Sequence, residues 1–283
     1  MNEKQAFIKR FGPRRRDLRR SPLRLSPSSI TIFQQCPQQY KFRYIDKLGE
    51  QYTKAKPYYT MANHVHATLR DLVSTVPPEL RNAATAKRLL LENWERSRLG
   101  FRSTDDEMRW LEKALAQVRA FALSPYLEAS PIMLEAAVEA EVSPGVMLYG
   151  RVDRVDQDQN DAIHIIDYKT GKVPPQTNWM QLRLHALTLS IMSSRTVSKV
   201  SFLYLEPCKM LTKGISPVDL DETRWELLGI ASRIRQERQH IPRPGAWCRG
   251  CDFGEICSAQ VPKEGTSNHS VQLELWEELP DDV

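Results

Sequence analysis

Residues 150–172 read Gly-Arg-Val-Asp-Arg-Val-Asp-Gln-Asp-Gln-Asn-Asp-Ala-Ile-His-Ile-Ile-Asp-Tyr-Lys-Thr-Gly-Lys. Residues 147–155 and 162–169 are short runs rich in Val, Ile and Tyr, parted by the polar segment 156–161. That pattern predicts the two strands of a hairpin. Side chains alternate along a strand, so Asp167 and Lys169 share one face and Tyr168 takes the other. Asp153, near the far end of the partner strand, can lie beside Asp167. An Asp two residues from a Lys is ordinarily a cross-strand ion pair on a solvated face. Here Ile163, Ile165 and Ile166 mark a buried strand, and burying both charges is costly unless they serve a bound cation.

Hard oxygen ligands select Mg²⁺ or Mn²⁺. Such a cation polarises a phosphoryl oxygen and lowers the pKa of water, while Lys169 orients the nucleophile or stabilises the charge that develops. The reaction class is phosphodiester hydrolysis.

The run G-x-x-D-R at 150–154, followed by an apolar strand ending in Asp167-Tyr168-Lys169-Thr170-Gly171-Lys172, resembles the PD-(D/E)xK nuclease superfamily. Within it the chain looks like the RecB-like exonuclease branch, which includes the nuclease domain of AddB and the CRISPR adaptation nucleases. The resemblance implies an α/β, restriction-endonuclease-like core with a mixed central sheet. It implies that Asp153 and Asp167 hold the divalent metal, that Lys169 assists catalysis and that the Tyr168 carbonyl completes the shell. Ser26-Pro27-Ser28-Ser29-Ile30, Phe33 and Cys36-Pro37-Gln38-Gln39-Tyr40 resemble the opening helix of that family. Met61-Ala62-Asn63-His64-Val65-His66 resembles its G-x-x-[IV]-H helix, with Ala62 in place of Gly and His66 as the implied metal ligand. Residues 177–194 form a helical run in which Gln181 opens a motif similar to Q-x-x-x-Y, with His185 at the fifth position. The resemblance puts Gln181 near the scissile phosphate or the attacking water.

Cys248, Cys251 and Cys257 form C-x2-C-x5-C in a segment punctuated by Pro and Gly. Three thiolates leave a fourth ligand to come from Cys36, Cys208 or water. Cys36-Pro37 followed by an aromatic resembles the AddB-type iron-sulfur variant, which implies a 4Fe-4S cluster on Cys36, Cys248, Cys251 and Cys257. A structural Zn²⁺ on the same thiolates is the alternative, although zinc sites commonly pair two C-x2-C knuckles and this chain has one. Either metal would make a C-terminal cysteine clasp fastening the first helix to the end of the chain. Cys208 reads as a half-buried thiol.

The chain has 283 residues, 41% hydrophobic and 27% charged, ordinary for a globular protein. Runs at 57–76, 82–99 and 104–127 have helical apolar spacing and form a helical insertion at about 57–130. Residues 134–142 read as a strand pairing with the hairpin, 199–205 as a further strand and 220–239 as a final helix. Trp94, Trp110 and Trp179 fall in helical runs and read as core. The net charge of +5 is unevenly spread: residues 1–24 carry net +7, residues 264–283 carry six acids and no Lys or Arg, and the body, 25–263, carries +4. Arg14-Arg15-Arg16 and Arg19-Arg20 belong to a disordered basic arm that could track phosphates. In the acidic tail, Gln272-Leu273-Glu274-Leu275-Trp276 resembles a sliding-clamp-binding peptide, docking through Gln272, Leu273, Leu275 and Trp276.

No run approaches 18 apolar residues and the N-terminus lacks an apolar signal core, so no membrane partner is expected. The expected location is cytoplasmic, bacterial-type and nucleoid-associated. With no G-x-x-x-x-G-K-[ST] loop, the chain is not itself an NTP-driven helicase, and a helicase enters only as a partner. The reading is a divalent-metal-dependent DNA nuclease, an exonuclease on single-stranded or frayed DNA in repair, recombination or foreign-DNA processing. The alternative is a noncatalytic DNA-binding or assembly subunit that retains the fold and cluster.

Overall fold

The expected hairpin lies at the middle of a six-stranded mixed sheet. The computed structural model describes residues 22–128, 131–158 and 160–259. Its strands are β1 (Leu23–Leu25), β2 (Met133–Ser143), β3 (Val146–Gln157), β4 (Ile163–Lys169), β5 (Val197–Tyr204) and β6 (Lys209–Gly214). Antiparallel β2 runs along almost all of β3, from Met133 opposite Val155 to Ser143 opposite Val146. The other edge of β3 is divided. β1 pairs in parallel with Val146 to Leu148, and β4 pairs antiparallel with the end of the strand, Arg154 opposite Ile166. Between Leu148 and Arg154 that edge pairs with no described strand, so β1 and β4 part as a fork. Parallel β5 follows β4, and antiparallel β6 closes the edge.

Helix α1 (Pro27–Gln35) begins where the sequence favours it. Pro27 sits in the first turn, and Ser26 and Ser29 exchange hydrogen bonds between hydroxyl and backbone N–H. Short α2 (Pro37–Tyr40) and α3 (Gly49–Tyr52) flank a π-turn at Lys41–Ile45. The helical insertion is α4 (Pro57–Ser74), α5 (Ala83–Trp94) and α6 (Thr104–Ala122). Asn82 and Ser103 cap α5 and α6, and Asp105, Asp106 and Glu107 complement the α6 dipole. These helices bury Leu69, Leu90, Trp94 and Phe121 over Ile166, Tyr168, Leu203 and Leu205. Helix α7 (Met180–Ser193) crosses from β4 to β5, and α8 (Pro217–Gln236) packs Leu227 and Ile230 with Ile30, Phe33, Leu148 and Leu184. Among the described residues no helix is long and apolar enough to cross a membrane.

The cysteine clasp is corrected. All five cysteines are free thiols, and among the described residues the side chains that converge as metal ligands include none of them. Cys36, Cys248, Cys251 and Cys257 line one pocket with Phe42, Trp247 and Phe253 but do not close into a ligand set. Burial raises the pKa of the Cys251 thiol. The C-terminal segment is held instead by Asp252, 2.9 Å from Arg43 and 3.0 Å from Lys56, and by Phe253 against Phe42 and Tyr52. The fold is therefore a mixed-sheet core with helical insertions and no 4Fe-4S or zinc clasp. Residues 1–21 of the basic arm and the clamp-like tail peptide lie outside the described residues.

Candidate metal centre

The register of β2, β3 and β4 sets three carboxylates abreast. Leu134 and Ala136 face Arg154 and Val152, so Glu135 lies opposite Asp153, and one step beyond the Arg154–Ile166 pair Asp153 meets Asp167. Like charges placed so are mutually destabilising. Asp153 and Asp167 are buried, 9% and 5% exposed, and half-buried Glu135 exposes 8% of its side chain. His66 of α4 faces this row, its Nδ1 3.3 Å from Glu135 Oε1 and 3.6 Å from Asp153 Oδ1. The ligand atoms of His66, Glu135 and Asp153 lie within 4.8 Å of one another. Although buried, His66 Nδ1 and Glu135 Oε1 have no hydrogen-bond partner. An unsatisfied ring nitrogen and an unsatisfied carboxylate oxygen, converging with a second carboxylate from Asp153, fit a divalent cation such as Mg²⁺, Mn²⁺ or Zn²⁺.

Electrostatics agree with that fit. Burial works against a charged imidazole, but Asp153 and Glu135 outweigh it and raise the His66 pKa well above its usual value. A proton there does part of what a cation would do. His64, two residues away, points elsewhere because a helix turns about 200° over that interval. Its Nε2 meets Ser97 O at 2.6 Å, its ring packs on Trp94, and burial lowers its pKa. Glu135 has φ +46, in the left-handed region that L residues enter at a cost of roughly 1–2 kcal/mol.

The fork between β1 and β4 shapes the rest. Where β4 leaves β3, the Tyr168 N–H donates to Asp153 Oδ2 at 2.7 Å and fixes that carboxylate. The Tyr168 ring is buried edge-on between His66 and Phe121. Neighbouring Arg154, 2% exposed, holds β3 by donating to both Asp156 oxygens at 2.8 Å and to Tyr126 O at 2.7 Å.

Asp167, Lys169 and Gln181 form a closed triangle. Lys169 Nζ is 2.9 Å from Asp167 Oδ2 and donates to Gln181 Oε1 at 2.9 Å, and Gln181 Nε2 donates to Asp167 Oδ1 at 2.9 Å. Burial raises the Asp167 pKa against the opposing pull of Lys169. Gln117 of α6 donates to Thr170 O at 2.7 Å and pins the end of β4. One turn after Gln181, His185 is 3% exposed, and burial takes its pKa down to about 4. It fills the fork over Gly150, where a Cβ would stand 2.8 Å from His185 Cε1.

Of the expected metal ligands, His66 and Asp153 converge. Asp167 is engaged by Lys169 and Gln181, and Tyr168 supplies its N–H to Asp153. Glu135 was not foreseen. It shares its strand alternation with exposed Glu139 and Glu141, so it reads as part of a solvated face; its place opposite Asp153 appears only once the register is known.

A family profile described as the PD-(D/E)XK nuclease superfamily matches residues 24–258. No curated protein matches the chain. Similar solved structures include that of SSO0001, 14% identical with a TM-score of 0.41, covering 92% of this chain and 94% of that one. Another is a protein of Eubacterium rectale provisionally named an exonuclease, 11% identical with a TM-score of 0.49, covering 86% and 90%. The AddB-type iron-sulfur assignment within the RecB-like branch is corrected: the superfamily is matched, and the converging metal-ligand set is His, Glu and Asp.

Proposed function

Because the chain belongs to the PD-(D/E)XK nuclease superfamily, we propose that it is a divalent-metal-dependent DNA nuclease, acting as an exonuclease on single-stranded or frayed ends. The observation that carries this is the convergence of His66, Glu135 and Asp153 beside the Asp167–Lys169–Gln181 triangle. His66, Glu135 and Asp153 would hold the cation, with Asp167 on the next strand beside Asp153. A divalent cation in such a place supplies Lewis acidity toward the phosphodiester oxygens. The Lys169 ammonium stabilises the negative charge that develops on phosphorus oxygens as the diester is attacked. Gln181 is a positioning residue, holding Lys169 and Asp167 at a fixed separation through its two amide atoms. Tyr168 holds the second Asp153 oxygen through its backbone N–H.

The same reading places the protein in DNA repair, recombination or foreign-DNA processing in a bacterial-type cytoplasm. A helicase would supply single strands, and a sliding clamp would be engaged through Gln272, Leu273, Leu275 and Trp276; loss of clamp binding on Leu275→Ala checks the latter. The test of activity is digestion of end-labelled single- and double-stranded DNA with Mg²⁺ or Mn²⁺. Cation-dependent shortening from an end, lost in Asp167→Ala, is the expected result. Binding without cleavage would favour a noncatalytic subunit instead.

A further inference from the structure

On the far side of α1 and α8 lies a cavity of about 520 Å³ that has no part in the metal centre. Arg233 from the last turn of α8, with Arg238 and Arg243 from the segment after it, lines the cavity over the edge of Phe33. None of the three arginines is in an ion pair among the described residues. The one acid in the lining, Glu237, turns its Oε1 onto the backbone N–H groups of Gln239 and His240 at 2.8 and 2.9 Å. Arg243 is tethered by a 3.1 Å bond from Nη1 to Gln34 O. Cationic side chains at a helix C-terminus complement its dipole. That accounts for Arg233, but Arg238 and Arg243 follow the helix, and the single carboxylate of Glu237 offsets only one of the three positive charges.

We infer that this cavity is a phosphate subsite for a polynucleotide strand, separate from the cation site. Guanidinium forks match the paired oxygens of a phosphodiester. A volume of this size accepts a nucleotide unit rather than a bare anion, falling within the range of ligand pockets. The cavity shares no residue with the metal centre, so the arginines hold the strand by groups other than the bond that breaks. The inference rests on the proposed nuclease activity for its ligand class.

The test uses the full chain in EDTA and a fluorescein-labelled single-stranded 20-mer, read by anisotropy across salt concentrations, with Arg233→Glu/Arg238→Glu and the charge-keeping Arg233→Lys/Arg238→Lys. The expected result is a Kd raised at least tenfold by the Glu pair, with the salt slope reduced by about 1.4, two phosphates at ~0.7 each. The Lys pair should retain most of the binding. An unchanged Kd and slope in the Glu pair would overturn the inference. So would inorganic phosphate protecting the cavity as well as the 20-mer does, since the ligand would then be a small anion. Hydrolysis of bis(p-nitrophenyl) phosphate by the wild-type protein with Mn²⁺ judges the nuclease reading by itself, because that ester is too small to reach the arginines.

Discussion

The acid row, of which Asp153 on β3 and Asp167 on β4 belong to a spaced motif, differs from the cysteine-bearing segment at 248–257 in what carries the spacing. On the sheet, hydrogen-bonded register converts residue number into position, so Glu135, Asp153 and Asp167 must be neighbours once the strands pair. The cysteines lie on a short 3₁₀ turn, Ala246–Gly250, and on turns after it, where no ladder fixes which side chains meet. There the contacts that hold are ionic and aromatic, through Asp252 and Phe253.

The largest expected effect breaks the sheet side of this contrast. Asp153→Ala should lower cleavage at least ~10³-fold, because it removes a cation ligand and the acceptor of Tyr168 N–H together; a single-turnover assay on labelled DNA measures it. Glu135→Gln should weaken cation affinity about 10- to 100-fold with a smaller change in folding, read by calorimetric titration with Mn²⁺. On the other side, Asp252→Ala leaves Arg43 and Lys56, both largely buried, without their carboxylate. It should cost about 3 kcal/mol in urea unfolding while the cation site still loads.

These outcomes bear on how much was legible in the sequence. The hairpin and the three-helix insertion followed from apolar alternation, and Asp153, Asp167 and Lys169 from their places on the paired strands, whereas Gln181 came only from the resemblance to the family. Two strands did not. β1 is three residues long, too short for a period, and β6 is an edge strand with Lys209 and Lys213 and little apolar content, which guards an edge but gives no strand signal. Arg154, the last residue of the G-x-x-D-R run, is one of the most buried side chains, which its residue type alone does not announce. Residue type alone could not separate His66 from His64; the helix turn and the opposite carboxylates do.

Smaller effects sharpen the comparison at the fork. Gly150→Ala would drive its Cβ into His185 and should cost about 1–3 kcal/mol, in part recovered by adding His185→Ala. On β4, burial holds the His164 pKa at about 4, with Nε2 2.7 Å from Ser201 Oγ. The unfolded chain takes up that proton near pH 6.5, so between pH 6.5 and 4 it binds more protons than the folded one, and stability falls as pH falls through that window. After allowance for partial exposure the loss should be ~1–2 kcal/mol, and His164→Gln should flatten that part of the pH-stability curve.

The most direct test of the central claim is Mn²⁺ titration of the metal-free chain, wild type against Asp153→Asn and His66→Ala, followed by the paramagnetic signal of free ion. One site per chain in the wild type, lost or weakened at least tenfold in both variants, is the predicted result. Equal affinity and stoichiometry in all three would contradict the assignment of the cation to His66, Glu135 and Asp153.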